Sequence, residues 1–349
     1  MRQQNPTVAV DLFCGAGGLT HGLIRSGISV AAGIDLDPAC RYPFEANNNS
    51  KFKLADVADV TGGELLAAYP KCSTKVLVGC APCQPFSRYA RRHAQKGDQK
   101  WRMLDHFANL VKCVRPDVVS MENVPELERD CMFPSFIQSL QSIGYCVSFS
   151  NVYCPDYGIP QHRTRLVLFA SISGSIMIIP PTHLPAKYRT VKDAIGKLRA
   201  LSVGKIDAKD PLHRACKLSD LNLKRMRASR PGGCWRDWPE HLVADCHRAD
   251  SGKTYPSVYG RMEWEKPSPT ITTQFFGYGN GRFGHPSQDR AISVREGSIL
   301  QSFPKTYRFC QRPNEASFSV LGRLIGNAVP VRLGEIIGKS ILQHLAESK

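Results

Sequence analysis

The sequence predicts an α/β fold with a doubly wound, mostly parallel sheet, joined to a smaller, irregular and β-rich domain. Short apolar runs alternate with helical segments up to Ala170, which is the pattern of a parallel sheet covered by helices. The alternation stops there, and Pro180-Pro181 marks a linker. Because a helical pattern returns near the C-terminus, we expect one domain over residues 1–180 plus 318–349 and a second over residues 181–317.

Composition and charge restrict the class of protein. The 349 residues are 42% hydrophobic and 22% charged, as in a globular protein that buries a core. The 46 Lys and Arg exceed the 30 Asp and Glu, and the net charge of +16 favours a polyanionic partner. The 13 cysteines show no disulfide spacing, and we find neither a signal peptide nor an apolar run that could span a membrane. We therefore expect a cytoplasmic protein.

The predicted elements follow apolar periodicity and turn residues. Strands are expected at residues 7–12, 28–34, 52–56, 75–78, 117–121, 145–152 and 166–170. Helices are expected at residues 19–26, 63–69, 103–114, 134–144 and 332–346, with another ending near residue 47 and one beginning near residue 293. This alternation is the basis for expecting a mostly parallel sheet in the first domain.

A glycine-rich turn follows the first strand. It contains Phe13, Gly15 and Gly17, and glycines at such a turn let the backbone approach a nucleotide closely. Asp35 follows the second strand, where a carboxylate can bind a ribose diol, and Asp56 ends the third. A solvated acidic turn would explain Asp35 alone, and the dinucleotide fingerprint is not met. Together, the turn and the carboxylates predict a nucleoside pocket.

Cys83 is the candidate nucleophile. It lies in Gly79–Ser87, a proline-rich loop after the fourth strand, at the sheet edge where α/β enzymes place their chemistry. A buried structural thiol is one alternative. Cys80 and Cys83 also form a C-x-x-C pair, but zinc sites usually need two such pairs and the sequence has no second one.

An acid and two arginines are expected near Cys83. Glu122 follows the fifth strand, and Arg163 and Arg165 are two residues apart in an extended segment, so they point to one face. A thiolate and a nearby acid suit conjugate addition to a heteroaromatic ring, in which the acid supplies a proton or hydrogen bond to a ring nitrogen. The adjacent carbon then becomes a nucleophile that a bound methyl sulfonium donor could alkylate.

The region after the linker is basic. Residues 187–266 contain 18 Lys or Arg and 10 Asp or Glu, together with several Trp and Tyr. Such side chains on an irregular scaffold suit contacts to phosphates and bases, although aromatic residues more often form the core of a small domain. A zinc site is a further alternative, with irregular spacing. Its candidate ligands are His213, Cys216, Cys234, His241, Cys246 and His247.

Six motifs in order carry a resemblance to a known family. They are Asp11–Gly18 (DLFCGAGG), Pro82–Ser87 (PCQPFS), Glu122–Val124 (ENV), Gln161–Arg165 (Q-x-R-x-R), Pro267–Thr270 (P-x-P-T) and Gly326–Pro330 (GNAVP). On these residues the chain resembles the DNA (cytosine-5) methyltransferases of the prokaryotic restriction-modification type. The resemblance covers nearly the whole chain outside the region between Arg165 and Pro267, which corresponds to the target-recognition region.

The resemblance implies methyl transfer to C5 of a cytosine that has been flipped out of the DNA duplex. Cys83 would attack C6 and form a covalent adduct, while Glu122 would engage N3 and the exocyclic amine. Arg165 would help to hold the base. Arg163 and Ser87 would steady the loop or a backbone phosphate.

The resemblance also implies the cofactor S-adenosylmethionine, with S-adenosylhomocysteine as product, and no metal. Phe13 and Pro82 would flank the adenine, Asp35 would bind the ribose hydroxyls and Asp56 the adenine amine. Asn327 would close the pocket from the C-terminal side. With the glycines of the turn, the expected cofactor-binding residues are Phe13, Gly15, Gly17, Asp35, Asp56, Pro82 and Asn327.

Double-stranded DNA is the expected partner of a monomeric, nucleoid-associated enzyme. A cognate restriction endonuclease would be encoded separately. The expected DNA contacts are Gln84, Ser87, Arg88, Arg227, Arg230, Arg236, Arg261 and Thr270. The recognition sequence does not follow, because base-edge contacts come from a few loop side chains that the sequence does not place.

Four positions depart from the usual pattern of the family. Asp35 stands where Glu is usual, Ala81 where a second proline is common, and Ser298-Ile299 where Ala-Arg is usual. None of these changes removes a group that the reaction needs, so we expect an active enzyme.

Three alternative functions stand beside this one. A tRNA cytosine-5 methyltransferase shares the catalytic core, but its Cys-Phe-Thr motif is absent from this sequence. A catalytically silent DNA-binding homologue is disfavoured by the joint presence of Cys83, Glu122 and Arg165. A nicotinamide-dependent oxidoreductase would leave the Cys83 loop and the basic region unexplained.

Overall fold

The computed structural model describes residues 5–82, 102–250, 252–254, 256–313 and 315–348. These residues form two compact units. The sheet unit comprises the described residues of Met1–Tyr157, Thr164–Thr182 and Val329–Lys349, and the insert unit those of Gly158–Arg163 and His183–Ala328. The insert unit therefore includes residues 318–328, which the sequence analysis assigns to the first domain.

The sheet unit is built on strands in the order β3-β2-β1-β4-β5-β7-β6. Their bounds are Thr7–Leu12 (β1), Ser29–Asp35 (β2), Lys51–Leu54 (β3), Thr74–Gly79 (β4), Val118–Asn123 (β5), Cys146–Tyr153 (β6) and Thr164–Ser171 (β7). Strands β1 to β5 are parallel, and β7 is antiparallel to both β5 and β6. The prediction of an α/β fold with a mostly parallel sheet is confirmed.

The antiparallel β7 follows from the short connection before it. Residues 154–163 join β6 to β7 and contain a 3-10 turn but no α-helix. A parallel strand would need a crossover connection of roughly a dozen residues or more, usually helical. The chain therefore turns back directly along β6.

The strand order changes direction between β1 and β4. Strands β2 and β3 lie on one side of β1, whereas β4 and β5 lie on the other. In open α/β sheets, ligands bind outside the carboxyl ends of the strands at such a switch point. The residues that follow β1 and β4 are Phe13–Gly17 and Cys80–Pro82, so both segments lie at the place where this fold binds its ligands.

Helices accompany the sheet, and shorter ones occur in the insert unit. Their bounds are Gly18–Ser26 (α1), Arg41–Asn47 (α2), Gly62–Ala68 (α3), Arg102–Val114 (α4), Met132–Gln141 (α5), Val191–Ile195 (α6), Asp220–Ala228 (α7), Asp245–Arg248 (α8), Val294–Leu300 (α9), Phe318–Gly326 (α10) and Val331–Glu347 (α11). Glycines let α11 approach α1 closely, because a Cβ at Gly22 would lie 2.3 Å from the carbonyl oxygen of Val331. None of the described helices combines the length and apolar character needed to cross a membrane.

The insert unit has no extended strand among its described residues. Backbone pairing there is limited to isolated bridges, such as that between Arg261 and Gly284. The strands expected in this domain are therefore absent from the described residues, and prolines and glycines interrupt the apolar runs. Its hydrophobic core includes Met226, Trp235, Trp238, Leu242, Tyr278 and Ala291.

Candidate active site

The turn after β1 adopts a left-handed conformation. Phe13, Gly15 and Gly17 have φ angles of 57°, 54° and 85°, a region that glycine enters without steric cost. The backbone N–H of Gly15 donates a hydrogen bond to Asp35 Oδ2 at 2.8 Å, which joins the turn to the end of β2. A Cβ built on Gly15 would meet no atom within 4 Å. The turn therefore leaves room for a ligand to approach its backbone.

Asp35 and Asp56 lie at the ends of neighbouring strands. Asp35 Oδ1 accepts a hydrogen bond from the N–H of Asp37 at 2.9 Å, and burial raises the pKa of Asp35. Asp56 Oδ1 accepts one from the N–H of Ala58 at 2.9 Å. Because β2 and β3 pair Asp35 with Leu54, the two carboxylates lie at the same edge of the sheet. Both retain lone pairs that can accept further hydrogen bonds.

Asp11 is a buried carboxyl group to which the sequence analysis assigns no role. It is 1% exposed, and Thr20 Oγ1 donates a hydrogen bond to its Oδ2 at 2.6 Å. Its Oδ1 has no hydrogen-bond partner among the described residues. Burial raises the pKa of Asp11 to about 7. An acidic residue inside an otherwise apolar strand is the sequence signal that points to such a group.

Glu122 lies within β5 rather than after it, and it is 2% exposed. The antiparallel register pairs Asn123 with Leu166, which brings Arg165 beside Glu122. Arg165 Nε lies 3.0 Å from Glu122 Oε1. The two atoms are close enough to form an ion pair, but they are not hydrogen-bonded. Oε1 has no hydrogen-bond partner among the described residues. Glu122 Oε1 can therefore accept a hydrogen bond from a ligand.

Cys80 contacts the other oxygen of Glu122. The parallel register of β4 and β5 pairs Gly79 with Met121. Cys80 and Glu122 are the residues that follow this pair, so they lie side by side. Cys80 Sγ donates a hydrogen bond to Glu122 Oε2 at 2.8 Å. The sequence identifies Cys80 only as half of a C-x-x-C pair, because no local pattern specifies the register of two strands that are distant in sequence.

The start of the loop after β4 is held by both neighbouring strands. The N–H of Cys80 donates a hydrogen bond to the Leu12 carbonyl at 3.3 Å, and Asn123 Nδ2 donates one to the Ala81 carbonyl at 3.1 Å. The described part of this loop ends at Pro82, which is exposed. Four predicted site residues lie outside the described residues, namely Cys83, Gln84, Ser87 and Arg88.

In the insert unit, the segment around Arg163 is tied to a second segment by side-chain hydrogen bonds. Gln161 Oε1 accepts a hydrogen bond from the N–H of Ile271 at 2.9 Å. Arg163 is 6% exposed, and its Nη1 donates to the Ile271 carbonyl at 3.4 Å. Thr270 Oγ1 donates its proton to the His162 carbonyl at 2.6 Å. Thr270 therefore retains only acceptor capacity for another partner.

Arg261 is a structural residue, which corrects its prediction as a DNA contact. Its side chain is 7% exposed, and it pairs with Asp289 at 2.5 Å. Its guanidinium also donates hydrogen bonds to the carbonyl oxygens of Met226, Ser229, His285 and Gln288. Because these partners occupy its donors inside the insert unit, Arg261 has none to offer to a phosphate.

The other three arginines of the insert unit that are predicted to contact DNA are exposed. The side chains of Arg227 and Arg230 are 62% and 76% exposed, and they lie 3.3 Å from Asp289 and 3.1 Å from Asp237 respectively. The guanidinium of Arg236 lies over an indole ring at 5.5 Å from its centroid. Surface ion pairs of this kind contribute little to stability, so these arginines can exchange their partners for a phosphate.

The zinc hypothesis finds no support in the part of the chain that the structure describes. No group of three or more His, Cys, Asp or Glu there has an arrangement that could hold a metal ion. The two ring nitrogens of His213 lie 2.8 Å from Ser293 Oγ and 2.9 Å from the Arg199 carbonyl oxygen.

The last predicted cofactor residue, Asn327, is the C-cap of α10 in the insert unit.

Known proteins resemble this chain along most of its length. The "Type II methylase M.HgiDII" of Herpetosiphon aurantiacus is 55% identical, over 96% of this chain and 95% of the relative. The "Type II methyltransferase M1.HphI" of Haemophilus parahaemolyticus is 29% identical, over 96% of this chain and 86% of the relative.

Solved structures share the fold. A protein described as a DNA modification methyltransferase encoded within an E. coli prophage superimposes with a TM-score of 0.73 at 20% identity, over 97% of this chain and 99% of that one. The Dnmt2 methyltransferase of S. pombe superimposes with a TM-score of 0.61 at 16% identity, over 98% of this chain and 99% of that one.

The sequence model of the "C-5 cytosine-specific DNA methylase" family matches residues 8–343. This match spans almost the whole chain, including both segments at the switch point and Glu122. Together with 55% identity to a relative of nearly equal length, it shows that this chain belongs to the C-5 cytosine-specific DNA methylases and is a DNA (cytosine-5)-methyltransferase.

Proposed function

We propose that this enzyme transfers a methyl group from S-adenosylmethionine to C5 of a flipped-out cytosine in a short DNA sequence, through a covalent adduct of Cys83. The observation that carries the proposal is the buried carboxyl of Glu122. Its Oε1 has no hydrogen bond among the described residues, and its neighbour Cys80 begins the segment that leads to Cys83. A buried acceptor at this edge of the sheet suits the amine of a bound base.

We further assign the enzyme to a type II restriction-modification system, as its modification component. The relative from Herpetosiphon aurantiacus carries the name of a type II methylase, which supports this assignment. The enzyme acts as a nucleoid-associated monomer on double-stranded DNA, and the cognate endonuclease is a separate protein.

The turn after β1 and the carboxylates at the ends of β2 and β3 fit S-adenosylmethionine, whose sulfonium supplies the electrophilic methyl group when it is bound. The glycine turn leaves room for a ligand, and Asp35 and Asp56 present carboxylate oxygens at one edge of the sheet. Such oxygens suit ribose hydroxyls and an adenine amine, which are hydrogen-bond donors. Phe13 and Pro82 flank the adenine, and Asn327 closes the pocket. These last three assignments follow from the motifs alone.

The residues of the site divide the reaction between them. The Cys83 thiolate adds to C6, while Glu122 accepts a hydrogen bond from the exocyclic amine and places a proton at N3. The electron pair displaced from the C5–C6 double bond makes C5 nucleophilic, so C5 would take the methyl group as its bond to the sulfonium breaks, with S-adenosylhomocysteine as the leaving group. Loss of the C5 proton and cleavage of the Cys83–C6 bond restore the aromatic ring. Arg165 helps to hold the base, and Arg163 and Ser87 steady the loop or a phosphate.

The insert unit provides target recognition. Its exposed arginines, Arg227, Arg230 and Arg236, suit contacts to backbone phosphates, which position the protein on the duplex. Thr270 can accept a hydrogen bond there. Gln84, Ser87 and Arg88 are assigned to contacts with DNA from the sequence alone.

Bisulfite sequencing tests this function directly. The chain is expressed in a bacterial host that lacks cytosine methylation, beside a Cys83→Ser control. We expect protected cytosines in one short sequence context with the wild-type chain and none with the control. Absence of protection, from soluble protein that still binds S-adenosylmethionine, would contradict the DNA substrate and favour an RNA substrate.

A further inference from the structure

We propose that Cys80 is a positioning residue, whose thiol holds the carboxyl of Glu122 in the orientation in which Oε1 meets the cytosine. The proposal rests on the proposed function, because it concerns the same reaction. It gives a role to the first cysteine of the C-x-x-C pair, which the resemblance to the methyltransferase family leaves without one.

Backbone interactions hold the main chain of Cys80 in place. Its N–H donates a hydrogen bond to the Leu12 carbonyl at 3.3 Å, and the pairing of Gly79 with Met121 places it directly beside Glu122. The following carbonyl, that of Ala81, accepts a hydrogen bond from Asn123 at 3.1 Å. Hydrogen bonds to β1 and β5 therefore hold the backbone from which the Cys80 side chain extends.

The two oxygens of Glu122 have different surroundings. Oε2 accepts the hydrogen bond of the Cys80 thiol at 2.8 Å, whereas Oε1 faces the guanidinium of Arg165 at 3.0 Å and has no hydrogen bond among the described residues. A carboxyl with one oxygen tied to a fixed donor cannot rotate freely about its terminal bond. The thiol thus keeps one oxygen occupied and presents the other to the base.

Serine and alanine at position 80 separate this role from simple space filling. Serine retains a hydrogen-bond donor of similar size, and alanine removes the donor. We expect Cys80→Ala to lower kcat by about tenfold, which corresponds to one hydrogen bond to a charged group. KM for S-adenosylmethionine should stay unchanged, and Cys80→Ser should recover most of the rate.

A substitution at a distant cysteine separates this effect from the general loss of a thiol. Cys146→Ala is the matched control, because Cys146 is exposed and starts β6 at the opposite end of the sheet. Wild-type kinetics from Cys80→Ala would overturn the proposal.

Alkylation of Cys80 tests the contact without relying on activity. A thiol that donates to a carboxylate holds its proton more firmly, so in Glu122→Gln Cys80 should react with iodoacetamide at lower pH than in the wild type. Mass spectrometry measures the modification at each cysteine, and Cys146 should react alike in both proteins. Equal reactivity of Cys80 in both would refute the contact. If the coupling is present but the wild type does not methylate DNA, the proposed function fails while the contact stands.

Discussion

Glu122 of the sheet unit and Glu296 of the insert unit are both buried, but their surroundings differ. In the sheet unit, Glu122 is almost fully buried and still has an oxygen that no described residue hydrogen-bonds. In the insert unit, the buried Arg290 lies 2.7 Å from the buried Glu296, and the buried Arg295 lies 2.6 Å from the partly exposed Asp210. An incompletely satisfied carboxyl is poorly suited to stabilising a fold but suited to binding a ligand. The two ion pairs of the insert unit are suited to stabilising the fold and not to binding a ligand.

This difference shows why net charge overstates a DNA-binding surface. The side chains of Arg214 and Arg261 belong to the basic region, yet these residues are only 5% and 6% exposed. Arg261 bonds four carbonyl oxygens in a unit that has only isolated bridges among its described residues. A buried arginine thus joins backbone segments that a sheet would otherwise join. Part of the positive charge of this unit therefore stabilises its structure and is not available to DNA.

The largest effect is expected from Glu122→Gln. The amide still accepts the hydrogen bond of Cys80 but has no acidic proton to place at N3, so the rate of methyl transfer should fall by roughly 10²–10⁴-fold. A single-turnover assay with labelled S-adenosylmethionine measures this rate. Glu296→Gln, assayed where it remains folded, is the matched control and should keep the wild-type rate. A Glu122→Gln enzyme of nearly normal rate would remove the proposed acid from the reaction.

Glu296→Gln should have its effect on stability instead. Glu296 accepts bonds from Arg290 Nη1 and Nη2, each at 2.7 Å, and Arg290 is completely buried. Loss of one partner leaves the other charge uncompensated, which costs roughly 3–5 kcal/mol of unfolding free energy. Urea denaturation measures this change.

The control for this prediction is Glu315→Gln. Glu315 pairs with Arg312, and both side chains are more than half exposed, so the change should be within about 0.5 kcal/mol. If Glu296→Gln lowered the unfolding free energy no more than Glu315→Gln, the buried Arg290–Glu296 pair would not stabilise the insert unit.

Sequence patterns predict the sheet unit well and the insert unit poorly, for a physical reason. Apolar runs and turn residues identify β1 and α11 to within a residue of their observed bounds. The contact of Cys80 with Glu122 depends on the register of β4 and β5, and the burial of Arg261 depends on carbonyl groups that are distant in sequence. Local periodicity contains no information on either.

A smaller effect, dependent on pH, is expected from Asp11→Asn. Burial raises the pKa of Asp11 from 3.8 to about 7, so the folded state holds a proton that the unfolded state releases, and the stability of the wild type declines as pH rises from about 4 to 7. Asparagine does not titrate. The stability of Asp11→Asn relative to the wild type should therefore rise across this range, by on the order of 4 kcal/mol at most, and stay constant above it.

His285 in the insert unit should change the stability with pH in the opposite direction. Burial lowers the pKa of His285 from 6.5 to about 4, so the unfolded state binds a proton that the folded state does not, and stability is lost as pH falls from about 6.5 to 4. Thermal unfolding of the wild type, Asp11→Asn and His285→Asn across this range separates the two contributions. A pH-independent difference between Asp11→Asn and the wild type would contradict a neutral Asp11 at mildly acidic pH.

The smallest effect is expected from Arg230→Ala, with Arg261→Ala as its matched partner. Both remove one positive charge from the insert unit, but the Arg230 side chain is 76% exposed and that of Arg261 is 7% exposed. If Arg230 contacts one phosphate, its loss should reduce the slope of log Kd against log salt by about 0.9 and leave unfolding unchanged. Arg261→Ala should lower the unfolding free energy and leave the salt slope unchanged. Fluorescence anisotropy with duplex DNA at several salt concentrations measures the slope. The reverse result, in which Arg261→Ala lowers the slope without loss of stability, would place Arg261 on the DNA and end the distinction between scaffold and surface charge.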